Sequence, residues 1–261
     1  MTVHRHNGHG TPAAPPVRIA AAGDMHCQPS RAAEAHEAFA ALDGQADLLL
    51  LAGDLTTHGQ PEQACVLADA CRDLELPIYA VLGNHDWHCN QVRELRAILA
   101  EAGVTVLERE TATVCIGPTE IGIVGLKGFV GGFPGSHLPD FGEPLLREVY
   151  AEATEDVVAL DEGLKAIAHC PVRLVLLHYA PTHETLHGEP DAIWTMLGND
   201  RLAAPIAQHE PDMVLHGHAH AGTFEGRIAD VPVYNVSVPV LGRDFWVFEL
   251  SGLERATAPL H

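Results

Sequence analysis

The 261-residue chain is long enough to bury a substantial core and close to the upper size of one domain, so a single domain is expected. Its 15 Lys and Arg stand against 35 Asp and Glu, a formal charge of -20 that disfavours broad electrostatic binding to nucleic acid or to an anionic membrane. No stretch approaches the length of an apolar membrane span, and no continuous apolar segment opens the chain as a signal peptide, which leaves a cytoplasmic protein as the expectation.

Residues 1–16 carry His4, His6 and His9 among Gly and Pro and read as a disordered tail, with weak metal scavenging as the rival use; 17–261 read as the domain. Val17 to Ala22 is a first strand ended by Gly23, after which Asp24 and His26 alternate in an extended turn. Ser30 is a candidate N-cap for a helix to about Leu42. Asp47 to Ala52 is the next strand, continuously apolar from Leu48 to Leu51 as expected of a strand covered on both faces, and it stops at Gly53-Asp54. Pro61 opens a helix to about Leu76, Pro77 to Leu82 is a third strand, and Trp87 to Ala102 reads as a helix stopped by Gly103. Three strand–helix units in succession predict a parallel sheet whose ligand cleft lies at the strand C-termini.

Val104 to Leu107, Thr111 to Ile116 and Ile121 to Leu126 are short and close together, which suggests a more antiparallel sheet. Lys127 to Pro144 holds five glycines and three prolines with Phe129, Phe133 and Phe141, and reads either as a cleft wall or as an irregular surface connection. Glu143 to Ala168 has the apolar spacing of a packing helix. Arg173 to Leu177 is a strand delivering His178, and Thr182 to Asn199 is less regular, able to close over the cleft or to meet a second copy in a homo-oligomer. A helix over Leu202 to His209, a strand over Asp212 to Leu215 and three terminal strands complete the pattern. The six cysteines (27, 65, 71, 89, 115, 170) include no Cys-x-x-Cys pair and read as reduced and mostly buried.

The polar residues that follow these strands are Asp24, His26, Asp54, Asn84, His178, His218 and His220, a set of nitrogen and oxygen donors. One ion rarely needs so many protein ligands, whereas two ions sharing a carboxylate need about that number, so the count favours a dinuclear site. Manganese or iron suits the mixed donors, with zinc as the third choice. Two carboxylates leave two divalent ions electropositive, which suits an anionic phosphoryl group, and such a pair about 3.5–4 Å apart can activate water for an in-line displacement. A packing role for every one of these groups is the bland alternative. Cys27 points away from His26 by alternation, and His216 reads either as a packed neutral histidine or as a donor supporting a ligand.

Asp24-x-His26, Gly53-Asp54, Gly83-Asn84-His85-Asp86, His178 and Gly217-His218-x-His220 together resemble the signature of the calcineurin-like metallophosphoesterases, in the same order and across about three quarters of the chain. The resemblance implies a four-layer α/β/β/α sandwich with two facing mixed β-sheets. It also implies that Asp24, His26, Asp54 and His220 hold one ion, that Asp54, Asn84, His178 and His218 hold the other, and that Asp54 bridges them. His85 is then no ligand but the group serving the leaving oxygen, oriented by Asp86, while a metal-bridging hydroxide attacks phosphorus directly.

Within that class the sequence points to a phosphodiesterase acting on a small diester such as a cyclic nucleotide. There is no large cap and no second basic cluster for a dianion; Lys127 and His58 are the nearest candidate substrate contacts, and Phe129, Phe133 and Trp194 could stack a base. A phosphomonoesterase on a small metabolite is the first alternative, and a noncatalytic metal-bound interaction scaffold the second. Nucleic acid as substrate is disfavoured by the charge.

Overall fold

The computed structural model describes residues 2–4 and 16–251. The elements in chain order are β1 (Thr2–His4), β2 (Val17–Ala22), α1 (Ala32–Ala40), β3 (Leu48–Ala52), α2 (Pro61–Cys71), β4 (Ile78–Val81), α3 (Val92–Glu101), β5 (Val104–Val106), β6 (Glu110–Ile116) and β7 (Thr119–Gly125). They continue with β8 (Gly132–Phe133), β9 (Ser136–His137), α4 (Pro144–Ala166), β10 (Val172–Leu176), α5 (Trp194–Leu197), α6 (Ala203–His209), β11 (Met213–His216), β12 (Glu225–Ile228), β13 (Val231–Asn235), α7 (Val238–Leu241) and β14 (Trp246–Ser251).

Two six-stranded sheets form, ordered β1-β14-β2-β3-β4-β5 and β12-β13-β11-β10-β7-β6. Each is mixed: β2 to β5 run parallel with β14 antiparallel to β2, while β7, β10, β11 and β13 run parallel between antiparallel edges β6 and β12. Side-chain alternation along single strands builds the layers. In β3, Leu48, Leu50 and Ala52 face a core shared with Ile121, Leu174 and Leu215 of the other sheet, whereas Leu49 and Leu51 face Phe39 of α1 and Leu67 of α2. In β10 and β11, Leu174 and Leu215 join the inter-sheet core while Val175 and Val214 pack with Leu160 and Leu164 of α4 and Ile206 of α6. The result is the expected helix, sheet, sheet, helix layering, and the continuous Leu48 to Leu51 run is fully buried because both its faces are covered.

Several local expectations are corrected. Val104–Val106 does not join an antiparallel sheet; it pairs in parallel with β4, because α3 returns the chain as a crossover onto the same sheet. The helix expected from Trp87 begins only at Val92, since 84–89 are turns closed by the His88 N–H on the His85 carbonyl and the Asn90 N–H on the Trp87 carbonyl. Pro29–Arg31 forms a 3-10 turn with proline at its start, so Ser30 does not cap α1. Thr2–His4 pairs in parallel with β14; the rest of the tail expected to be disordered lies outside the described residues, apart from Pro16. The cysteines divide evenly: Cys27, Cys71 and Cys170 are buried, while Cys65, Cys89 and Cys115 are exposed. No helix among the described residues is long and apolar enough to cross a membrane.

Leu50 sits in the inter-sheet core with no exposed surface, whereas Leu145 at the start of α4 is 70% exposed. Leu50→Ala is expected to cost about 2–5 kcal/mol of unfolding free energy, and Leu145→Ala less than about 0.5 kcal/mol. Urea denaturation of the two variants beside the parent checks the contrast.

Candidate metal centre

Both sheets end at one place. Asp24 follows β2, Asp54 follows β3 and Asn84 to Asp86 follow β4 in the first sheet; His178 follows β10, and His218 and His220 follow β11 in the second. The sheets are joined there by polar contacts: His178 Nδ1 lies 2.8 Å from the Ala52 carbonyl, and the His218 N–H donates to Asp24 Oδ2 at 2.8 Å. Backbone bonds from Asp24 N–H to the Gly53 carbonyl and from Gly217 N–H to the His178 carbonyl tie the loops within each sheet.

The close approach restricts residue type. Gly53 has φ +82°, and a Cβ there would stand 2.5 Å from His178 Nδ1; a Cβ on Gly83 would collide with the Asp54 carboxylate. Asp24 (φ 58°), His26 (φ 46°), Asp54 (φ 48°) and His218 (φ 70°) all occupy left-handed backbone, half of the eight described non-glycine residues with positive φ. The extended turn expected over Asp24 to His26 is therefore replaced by a strained one. Such strain is held where surrounding structure over-determines it, and it aims several side chains into one space.

Two groups of donor atoms result, each with all its atoms within 4.8 Å of one another: Asp24, His26, Asp54 and His220 in one, and Asp54, His178 and His218 in the other. Asp54, 1% exposed, belongs to both. Asn84 adds its Oδ1 at 3.0 Å from His178 Nε2, which is itself 3.3 Å from Asp54 Oδ1. The imidazoles are oriented from behind. A carbonyl oxygen only accepts, so His178 donates Nδ1–H to Ala52 and His218 donates Nε2–H to Met196 at 3.1 Å, leaving the other ring nitrogen of each as a lone-pair donor. Burial lowers the pKa of His178 well below its usual value and that of His218 to about 3, so both rings are neutral, as ligation requires. Asp24 is pushed up to about 6 by burial against the pull of its 2.8 Å bond with His220, whose own pKa that bond raises. These oxygen and nitrogen donors, with one carboxylate common to both groups, fit a pair of divalent ions of the manganese, iron or zinc type.

His85 stands beside the donors without joining either group. Its ring packs edge-on to His26 at 4.6 Å, and its Nε2 is 3.9 Å from Asp54 Oδ2. The hydrogen bond on its Nδ1 goes to the Thr57 carbonyl at 2.7 Å, which corrects the expectation that Asp86 orients it. Fully buried, Asp86 instead accepts from the N–H groups of Leu55, Thr56 and Gly83 and from the Thr56 hydroxyl, binding the Asp54 loop to the Asn84 loop. Burial pushes its pKa to about 6 against those donors.

The expected substrate contacts fare unevenly. Lys127 donates to the Gly128 carbonyl and lies over the Phe129 ring at 4.4 Å, its pKa lowered chiefly by burial, so its ammonium is taken up within the wall. Phe133 is 1% exposed, packed with Leu186 and Leu197, and offers no face to a base. Trp194 is half-buried against Phe133, with its indole N–H on the Glu189 carbonyl. His58 is exposed, edge-to-face with His88, and no contact joins it to the donor groups. His216 is buried and hydrogen-bonded to Thr185, with a pKa lowered to about 4, which makes it a packed neutral histidine. Sequence reading missed the carbonyls of Ala52, Thr57 and Met196, since a main-chain acceptor leaves no mark on residue type.

Cys27 adjoins His26 but is buried, and burial raises its thiol pKa to about 12, as it does for Cys71. The thiolate is the reactive form and is scarce several units below that value. Iodoacetamide at pH 8 is therefore expected to alkylate Cys65, Cys89 and Cys115 in the native protein and to spare Cys27 and Cys71, as peptide mass spectrometry would register.

Comparison with known proteins agrees with this geometry. A family model described as calcineurin-like phosphoesterase matches residues 17–222. No curated protein sequence matches the chain. Among solved structures, phosphopantetheinyl hydrolase from Mycobacterium tuberculosis superposes with a TM-score of 0.62 at 15% identity, covering 86% of this chain and 90% of that one. GAP50, the anchor in the inner membrane complex of Plasmodium, superposes with a TM-score of 0.57 at 11% identity, covering 87% and 73%. At such identities the likeness concerns fold alone, and a hydrolase and an anchor share it. With its sheets, its strand-end donors and the match over 17–222, the chain belongs to the calcineurin-like phosphoesterase family, whose dinuclear-metal-dependent chemistry is hydrolysis of phosphoesters.

Proposed function

We propose that the protein is a phosphodiesterase acting on a small diester, with Asp24, His26, Asp54 and His220 holding one divalent ion and Asp54, Asn84, His178 and His218 the other. The observation that carries this reading is the pair of donor groups sharing Asp54, with His85 alongside and outside both. When bound, the ions supply Lewis-acid charge for the phosphoryl oxygens and a water ionised near neutral pH. Every other part falls to the chain. Asp54 is held by the His85 N–H at 2.9 Å, so its carboxylate keeps one orientation between the two groups. With Nδ1–H donated to Thr57, His85 presents Nε2 to the site, where it can hold a proton for the departing alkoxide. Asp86 positions both loops rather than touching the reacting atoms.

A diester is favoured over a monoester because a second negative charge on phosphorus calls for a second free cation at the site, and Lys127 is engaged with Gly128 and Phe129. The base-stacking support for a cyclic nucleotide is reduced to the half-buried Phe129 and Trp194, and His58, which is exposed, is kept as a proposed substrate contact. Either Mn or Fe is the proposed metal, with Zn accommodated by the same donors. The proposal is a cytoplasmic enzyme with a small-molecule substrate.

Asp54→Asn is expected to reduce bound metal at both positions, because one side chain serves both; two ions per chain retained by mass spectrometry or atomic absorption would overturn the bridge. His85→Ala should keep both ions and lose about 10²–10⁴-fold in kcat on a substrate with a poor leaving group. Protein stripped and reloaded with manganese, iron or zinc should turn over bis-aryl diesters or cyclic nucleotides faster than aryl monoesters. Faster monoester turnover would move the assignment to a phosphatase, and turnover of neither, with ions bound, to a scaffold.

A further inference from the structure

A further cluster of donor atoms lies at the opposite end of the second sheet. Glu120 stands at the start of β7, and His169 and Cys170 lie in the turn between α4 and β10. One donor atom from each lies within 4.8 Å of the others. Because β7 and β10 are parallel, their N-terminal ends share this edge, whereas His178 leaves the C-terminal end of β10. Eight residues of mostly extended chain, roughly 26 Å at about 3.3 Å per residue, separate Cys170 from His178, so the cluster is a site apart from the dinuclear centre.

The three side chains are arranged as ligands are. A carbonyl only accepts, so His169 donates Nδ1–H to the Ala166 carbonyl at 3.1 Å and turns the lone pair of Nε2 toward Cys170 Sγ, 3.6 Å away. A tetrahedral ion with sulfur at about 2.3 Å and nitrogen at about 2.0–2.1 Å sets those two atoms roughly 3.5–3.6 Å apart, so the observed separation already fits. The sulfur is seated against bare backbone, since a Cβ on Gly122 would stand 2.9 Å from it. No hydrogen bond or ion pair ties up the half-buried Glu120 carboxylate among the described residues, and its flexible side chain can close on an ion there. Cys115 faces Glu120 across the β6–β7 ladder but lies outside the group. We infer that Glu120, His169 and Cys170 bind one thiophilic divalent ion of the zinc type, which pins the β6–β7 hairpin to the turn between α4 and β10. Thiolate and imidazole select zinc over the harder manganese or magnesium, the exposed side of His169 leaves the fourth position to water, and the displaced thiol proton passes to solvent. The inference does not depend on the phosphodiesterase reading.

The test titrates cobalt(II), a spectroscopic stand-in for zinc, into the reduced full chain already loaded with manganese. The donors of the dinuclear centre include no sulfur, so cobalt entering there gives no sulfur-to-cobalt charge-transfer band, whereas cobalt on Cys170 does. The parent is expected to develop that band with one equivalent bound and to lose it on addition of zinc. Cys170→Ser should abolish it. His169→Gln and Glu120→Gln, changes at side chains that are not buried, should weaken binding about tenfold or more, since losing a ligand costs at least what losing a ligand's supporting partner does. Cys115→Ser should keep both band and affinity. Hydrogen exchange locates the ion independently: zinc added to the manganese-loaded parent should slow exchange at 119–121 and 167–171, and should not do so in His169→Gln. No band in the parent, a band that survives Cys170→Ser, parent-like affinity in His169→Gln, or protection confined to the strand ends at the dinuclear centre would each overturn the assignment.

Discussion

The Asp54 carboxylate is the constraint from which the rest of the centre follows. It is buried at the meeting of two sheets and belongs to both donor groups, and a lone charge in that position is tolerable only if its surroundings are built for it. Each neighbouring feature serves that end. Gly83 lets a backbone pass where any side chain would strike the carboxylate, and Gly53 does the same beneath His178. Asp86, one strand over, gathers four donors from the loops on either side and so holds Asp54 and Asn84 at a set separation. Left-handed backbone at four candidate ligands is the local cost of converging so many side chains, and the inter-sheet core beneath them is what offsets it.

That core also explains how one site can draw on two sheets. Leu50, Leu174 and Leu215 interdigitate between them, and the strand ends above inherit their spacing. The His178 to Ala52 hydrogen bond then spans the sheets at the site itself, so the second sheet's imidazole is oriented by the first sheet's main chain. His218 is oriented in turn by the Met196 carbonyl of α5, and Thr185 and Glu189 of the same irregular 182–199 segment bond to His216 and to the Ala221 N–H, so that segment is tied to the loop carrying His218 and His220.

Electrostatics divides the molecule in a way its total charge conceals. A chain of formal charge -20 is a poor host for anions, yet two divalent ions held by the donor set would make that place strongly positive. Around it the surface stays acidic, with Glu34, Glu37 and Asp244 exposed along the depression that Asp24 and His26 also line.

Much of this was legible in the chain alone. Runs such as Leu48 to Leu51 announced a strand covered on both faces, glycine marked the ends of β2, β3, β4 and β11, and the Asp, Asn and His that follow named both the family and the donor chemistry, because period-two burial and ligand type are properties of residues in order. The sequence did not determine that Val104–Val106 joins the first sheet, that residues 84–89 are turns, that Phe133 is buried, that Lys127 is engaged within a wall, or that Thr57 rather than Asp86 holds His85. Each of these depends on which main-chain atom or side chain arrives from a distant segment. A carbonyl acceptor is the same at every residue, and whether an aromatic or a lysine faces solvent or core is decided by its neighbours across the fold.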